Sequence, residues 1–163
     1  MRDKKLYGRM CLVCVVLIAA ILSLYGCSSK VDSVPDADTL ALRLLEEERF
    51  TEELQPIDTE AALSLYGLSK ADISNSAVYM GTGATAEETA VFEAVDQDAA
   101  QRVRKAVEAY IAAKKDSFER YIPKEVPKIE HAVIAQRGHV IVVCVSAENG
   151  TRARAVCKEY GLE

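Results

Sequence analysis

The sequence has no tryptophan, two histidines and four prolines in 163 residues, and only 6% of it is aromatic. Two histidines are too few for a metal centre unless other ligands converge on them. It also lacks an excess of positive charge: 20 Lys and Arg stand against 25 Asp and Glu, a formal net of −5. That excludes the basic footprint of a nucleic-acid-binding protein. No Walker or dinucleotide glycine signature occurs. No serine sits in a nucleophile elbow, and the many carboxylates single out no catalytic pair. On these grounds the chain is read as a non-enzyme that needs no cofactor and no metal.

What is present is concentrated at the start. Residues 1–9 carry Arg2, Lys4, Lys5 and Arg9 against Asp3 alone, and residues 11–24 (CLVCVVLIAAILSL) form an apolar run. Its length, about 14 residues, suits a signal-peptide core and is short for a membrane-spanning helix. The run ends at Leu24-Tyr25-Gly26-Cys27, which has the form of a lipobox. A small residue at Gly26 lets a peptidase reach the backbone, and the Cys27 sulfur takes a diacylglyceryl group before cleavage exposes it as the new N-terminus. Tyr25 departs from the small or β-branched residue more usual there. An uncleaved signal anchor is the alternative. Cys11 and Cys14 lie inside the apolar run, where a CxxC spacing has no partner ligands.

The expected organisation is therefore a signal peptide over residues 1–26, a lipid-anchored tether over 27–35 and one domain over 36–163. Removing the leader takes four of the 20 bases and one of the 25 acids, leaving 16 and 24, a formal net of −8. Such a domain repels anionic headgroups, so its attachment to the cell membrane rests on the lipid at Cys27, on the extracytoplasmic face. Taken as a coil, residues 28–35 reach on the order of 15 Å. Of five cysteines, Cys144 and Cys157 remain. Both fall on apolar stripes and are expected as buried free thiols, with a disulfide as the alternative.

Along the domain, Ala37, Leu40, Ala41, Leu44 and Leu45 recur at helical spacing behind Asp36 or Asp38 as a cap, with residues 46–48 (three glutamates) as a solvated end. Pro56 limits residues 50–58 to an edge strand or loop. Residues 59–66 predict a short helix with Thr59 as cap, stopped by Gly67, and residues 71–75 a turn. Residues 76–80 and 88–95 predict a hairpin. The Gly-x-Gly between them is a turn, because it opens onto a strand and not onto a helix N-terminus. Residues 97–121 predict a long helix ended by Pro123 and Pro127. A second hairpin pairs residues 129–135 with 139–146 through Gly138, and a last helix covers residues 149–160.

Hairpin then helix thus occurs twice, which suggests a structural duplication. The expected fold is α+β: a two-layer sandwich with an antiparallel sheet from two hairpins, helices on one face, and an N-terminal helix before them. Residues 140–145 are apolar on both sides, which asks for cover on both faces or an outward apolar face for a partner.

Tyr66-Gly67, Ala77-Val78-Tyr79, Gly83-Ala84-Thr85-Ala86-Glu87-Glu88, Val91-Phe92-Glu93-Ala94 and residues 118–127 (FERYIPKEVP) together resemble domain-of-unknown-function family 4358. The resemblance covers roughly residues 40–146. It implies a small lipoprotein, mainly a Gram-positive type, of no assigned activity.

Two constellations remain. His131 and His139 flank the second turn and are placed as possible neighbours across it, short of a metal site. Tyr79, Phe92, Tyr110 and Tyr121 are candidates to line a ligand groove between sheet and helix, against the plainer reading that they are core. The functional expectation is a membrane-anchored module that binds an envelope protein partner. A small-ligand-binding lipoprotein serving transport is the alternative, and an enzyme with an unrecognised site a third.

Overall fold

The computed structural model describes residues 33–163. The leader, Gly26, Cys27 and most of the tether lie outside the described residues.

Helix α1 (Ala37–Glu47) starts where Asp36 accepts from Thr39 N, and it buries Ala37, Leu40, Ala41 and Leu44. Pro56 permits only the two-residue edge strand β1 (Gln55–Pro56), as a residue without an N–H must. Helix α2 (Thr59–Tyr66) is capped one residue earlier than expected: Asp58 Oδ1 accepts from Glu60 N and Ala61 N, and Thr59 is the first helical residue. Gly67 ends it in the left-handed conformation. Strand β2 (Ile73–Met80) begins where a turn was expected, straight after a single 3₁₀ turn. Strand β3 (Glu88–Ala94) and helix α3 (Gln97–Tyr121, capped by Asp96) follow as the sequence predicts.

The prolines after α3 act differently from expectation. Pro123 opens a short 3₁₀ turn and Pro127 sits in the first turn of helix α4 (Val126–Glu130). A missing N–H costs nothing at a helix start. Residues 129–132 are therefore not strand, and β4 covers only Val133–Arg137. Gly138 and His139 turn the chain into β5 (Val140–Val145), and α5 (Thr151–Glu159) closes the described chain.

All pairs are antiparallel and the sheet order is β1-β2-β3-β5-β4. The two hairpins meet through β3 and β5, with Val91 opposite Val142 and Phe92 opposite Ile141. Successive side chains alternate faces. Ala90, Phe92, Ile141 and Val143 pack with α2 and α3. Val91, Val142 and Cys144 pack with α1 and α5. The α+β class and the antiparallel sheet stand, but helices cover both faces and not one. The cause is the doubly apolar β5, all six of whose residues are buried. This geometry also removes the duplication. A two-fold axis relating the antiparallel β3 and β5 would set both following helices on the same face, whereas α3 and α5 lie on opposite faces.

One glycine is demanded by the α5 start. Gly150 has φ +67°, and a Cβ there would come within 2.3 Å of Val133 Cγ2. Lacking a side chain, it cannot cap the helix. Glu48 does so from across the molecule: its Oε2 accepts from Ala153 N at 2.9 Å while Oε1 accepts from Arg49 N. Glu48 is 5% exposed, so the glutamate run is not a solvated end throughout.

Candidate functional site

Six polar or charged residues are buried among the described residues, and three of them, Glu87, Glu88 and Thr89, are consecutive where β3 begins. Alternation sends the side chains of Glu87 and Glu88 to different surroundings.

Glu87 faces the loop before β1 and the segment after α3. Its Oε2 accepts from Thr51 N at 2.6 Å and Glu52 N at 3.4 Å, and its Oε1 accepts from Thr51 Oγ1 at 2.7 Å and Lys128 Nζ at 2.9 Å. The same Lys128 ammonium lies 2.9 Å from Glu125 Oε2, which also accepts from Ala86 N. Burial pushes the Glu125 carboxyl up, but Lys128 and the Ala86 N–H outweigh it and leave the group below its ordinary value. Burial likewise disfavours charged Lys128, yet its bonds to Glu125 and Glu87 hold it above its ordinary value. Next to this knot, Glu52 accepts from Thr82 N, Thr82 Oγ1 and Thr85 Oγ1, and these bonds lower its pKa, Thr85 most. Gly81 is needed for that approach, since a Cβ would come within 2.3 Å of Glu52 Oε1. The Gly-x-Gly loop is thus a turn tied down by the Glu52 carboxylate and opening onto a strand.

Glu88 turns to the α3 face. Its Oε2 accepts from Tyr110 OH at 2.9 Å. Lys114 Nζ lies 3.0 Å from Oε1, with side-chain exposures of 8% for Lys114 and 0% for Glu88. That contact is an ion pair without hydrogen-bond alignment, so Glu88 Oε1 and the neighbouring Tyr66 hydroxyl are buried without a hydrogen bond. Burial first, then the Glu88 charge, drive the Tyr66 and Tyr110 phenols well above their ordinary pKa.

In front of this pair lies a cleft of about 240 Å³, walled by Leu65, Met80, Tyr110, Lys114, Ser117 and Phe118 with the Gly81–Thr85 loop at its rim. The cleft and both carboxylate networks sit where β2 ends and β3 begins. Helix α1 starts at the far end of the sheet, where Ala37 N donates to Glu93 Oε1. Five strand residues separate Glu88 from Glu93, about 17 Å.

The four aromatics proposed as a groove do not converge. Phe92 is buried beneath α3 and Tyr110 borders the same cluster, but Tyr79 packs on the opposite face and Tyr121 is 80% exposed. The aromatic contact that does form uses Tyr66, whose ring centre lies 4.9 Å from Phe92 and 4.0 Å from Tyr110. The strand period explains the error: 79 and 92 belong to opposite faces in the observed register.

The histidines are apart as well. His131 caps α4, with Nδ1 2.7 Å from Pro127 O, and His139 is in the turn. The whole of β4 separates them. Among the described residues no group of three His, Cys, Asp or Glu side chains is placed to hold a metal, and no helix is long and apolar enough to cross a membrane. Cys144 and Cys157 are free buried thiols. Burial raises both, Cys157 to about 11 and Cys144 further.

Sequence reasoning missed Glu48, Glu87, Glu88, Glu125, Lys114 and Lys128. Lys114 carried a signal, because it falls on the buried stripe of α3 between Tyr110 and Phe118. Glu87 and Glu88 carried one too: two charges beginning a strand that is apolar on both sides.

The five strands, helices α2 to α4 and the paired glutamates lie within a match to a family model, which leaves α1 and α5 outside it. Residues 47–146 match the domain of unknown function DUF4358, and the chain belongs to that family. No curated protein and no solved structure matches it.

Proposed function

We propose that this chain is a lipoprotein anchored to the extracytoplasmic face of the cell membrane, and that its domain is a non-enzymatic binding module. The observation that carries the reading is the leader: four bases, an apolar run, then Leu24-Tyr25-Gly26-Cys27, with helix α1 starting ten residues beyond that cysteine at Ala37. The formal net of −8 left without the leader keeps the domain off anionic lipid, so the lipid on Cys27 is its only hold on the membrane.

The polar interior favours binding over catalysis. Glu87 and Glu125 share Lys128, Glu88 is held by Lys114 and Tyr110, and Glu48 caps a helix. Carboxylates spent in this way stiffen a surface and are poorly suited to accept a substrate proton. Helix α1 begins at the sheet end opposite the cleft. The cleft also keeps the small-ligand reading alive, though one domain of this size has no second lobe to close over a ligand.

Growth with a fatty-acid analogue tests the anchor. The wild-type protein takes up the label and Cys27→Ala does not; label persisting in that variant overturns the anchor. Crosslinking in intact cells followed by mass spectrometry tests the module: a reproducible envelope partner is expected, and recovery of the uncrosslinked chain alone counts against it.

A further inference from the structure

We propose that the cleft in front of Lys114 binds an uncharged ligand that carries a carbonyl on an apolar body, with the Lys114 ammonium donating to the carbonyl and Leu65, Met80 and Phe118 holding the body. This deepens the binding-module reading and rests on it.

The donor comes first. The Lys114 side chain is nine-tenths buried, lines the cleft and meets Glu88 Oε1 at 3.0 Å without hydrogen-bond alignment. Among the described residues its ammonium donates no hydrogen bond. An ammonium with three N–H groups, at the wall of a cleft and close to one carboxylate oxygen, has donors left for an acceptor. In the cleft that acceptor must come from water or from a ligand.

Charge decides the class. Glu52, Glu87, Glu88 and Glu125 cluster around two paired ammoniums, Lys114 and Lys128, with Lys124 also acting on Glu125, so the carboxylates remain in excess. A ligand anion would be a fifth negative group in this neighbourhood. A ligand cation fares no better, because Lys114 Nζ already stands 5.7 Å from the Tyr110 ring centre and 6.0 Å from that of Phe118. Those ring faces are taken by a positive charge that repels another. A neutral acceptor remains, and an amide or acyl carbonyl is the strongest common one.

Shape limits the size. About 240 Å³ falls just below the usual range for drug-sized ligands, roughly 300–1,000 Å³. It suits a group as large as one capped amino acid. Leu65 at the wall is 46% exposed, an apolar surface for the body of such a group to cover. Binding of so small a ligand is expected in the millimolar range, on the order of 0.3 kcal/mol per heavy atom at drug size and more for smaller ligands.

Methionine supplies the probe. The three methionines are Met1, Met10 and Met80, and Met80 lines the cleft. The full chain is prepared in detergent micelles with methionine methyls labelled with carbon-13. It is then titrated with N-acetyl-phenylalaninamide (neutral), N-acetyl-phenylalanine (anionic) and phenylalaninamide (cationic). The neutral compound is expected to shift the Met80 methyl saturably, with Met1 and Met10 unmoved, and to bind at least about tenfold more tightly than either charged relative. Ser117→Trp, at an exposed position on the rim, is expected to block the shift while leaving the remaining spectrum in place. No saturable shift, equal or better binding of a charged relative, or a shift that survives Ser117→Trp overturns the proposal. A failed titration alongside a crosslinked partner removes this cleft and leaves the module reading intact; failure of both removes the module as well.

Discussion

The two faces of the sheet are built from different materials. The face under α1 and α5 is packed with Ala37, Leu40, Ala41, Leu44, Val91, Val142, Cys144 and Val156, and its one deep charge, Glu48, serves as a helix cap. The face under α2 and α3 is built around Tyr66 and Phe92, and at its margin it takes in a complete buried ion pair, Glu88 with Lys114. Small aliphatic residues interdigitate on the first of these faces, with a cavity of about 290 Å³ between β4 and α5 at the edge. The cleft at the edge of the other face is lined by rings and a charge, Tyr110, Phe118 and Lys114. Each face of the sheet has its own core, and the one under α2 and α3 also keeps a charged group at the wall of a cleft.

The comparison can be broken by substitution. Phe92→Ala on the aromatic face is expected to cost about 3–5 kcal/mol, and Leu40→Ala on the aliphatic face about 2–5 kcal/mol. Urea denaturation measures both, and a loss below 1 kcal/mol at either site would deny that face its core. Lys114→Met leaves Glu88 buried without a counter-charge and is expected to cost about 3–5 kcal/mol. The double variant Lys114→Met with Glu88→Leu is expected to recover most of this, and failure to recover would mean that the pair does more than neutralise itself. Glu48→Ala removes the cap of α5 and is expected to cost about 1–2 kcal/mol, with amide exchange quickening first at residues 151–153.

Smaller effects follow from titration and reactivity. The folded-state pKa of Glu125 is below its ordinary 4.5, so its contribution is present above that pH and is lost as pH falls through the folded value. The folded-state pKa of Lys128 is above its ordinary 10.5, so its contribution is present below that pH and is lost as pH rises through the folded value. Melting temperature should therefore hold a plateau between these limits and fall on each side, and Lys128→Met should lower the plateau and soften both falls. An unchanged profile in that variant would contradict the network. On the aliphatic face, the buried thiols Cys144 and Cys157 should resist alkylation at pH 8 until the chain is unfolded. Peptide mass spectrometry reads the labelling, and thiols that label only after a reductant is added would instead mean that the pair is bridged.

Much of the fold is legible in the letters because it depends on local chemistry. Asp36 and Asp96 cap the helices they precede, Gly67 stops one and Gly138 turns a hairpin, each through contacts within a few residues. Pro123 and Pro127 show the limit of this reading. A proline ends one helix or starts the next with the same chemistry, and only the packing of Ile129 against the α3 face makes the second outcome win. The site was far less legible. Glu87 finds Thr51 and Lys128, Glu88 finds Tyr110 and Lys114, and Glu48 finds Ala153, at separations of 22 to 105 residues for the hydrogen-bonded pairs.

By itself, the sequence determined the apolar run over residues 11–24 ahead of Cys27, the acidic balance of the chain, the order of most helices and strands, and the family to which the chain belongs. Each of these is a property of composition or of near neighbours, and no folding is needed to express it. Only the tertiary structure decided that helices cover both faces, that the aromatics separate and that Lys114 stands buried at the mouth of a cleft. Those outcomes rest on which residues a twisted antiparallel sheet brings together from distant parts of the chain. In that setting a one-residue change of register sends a side chain to the other face.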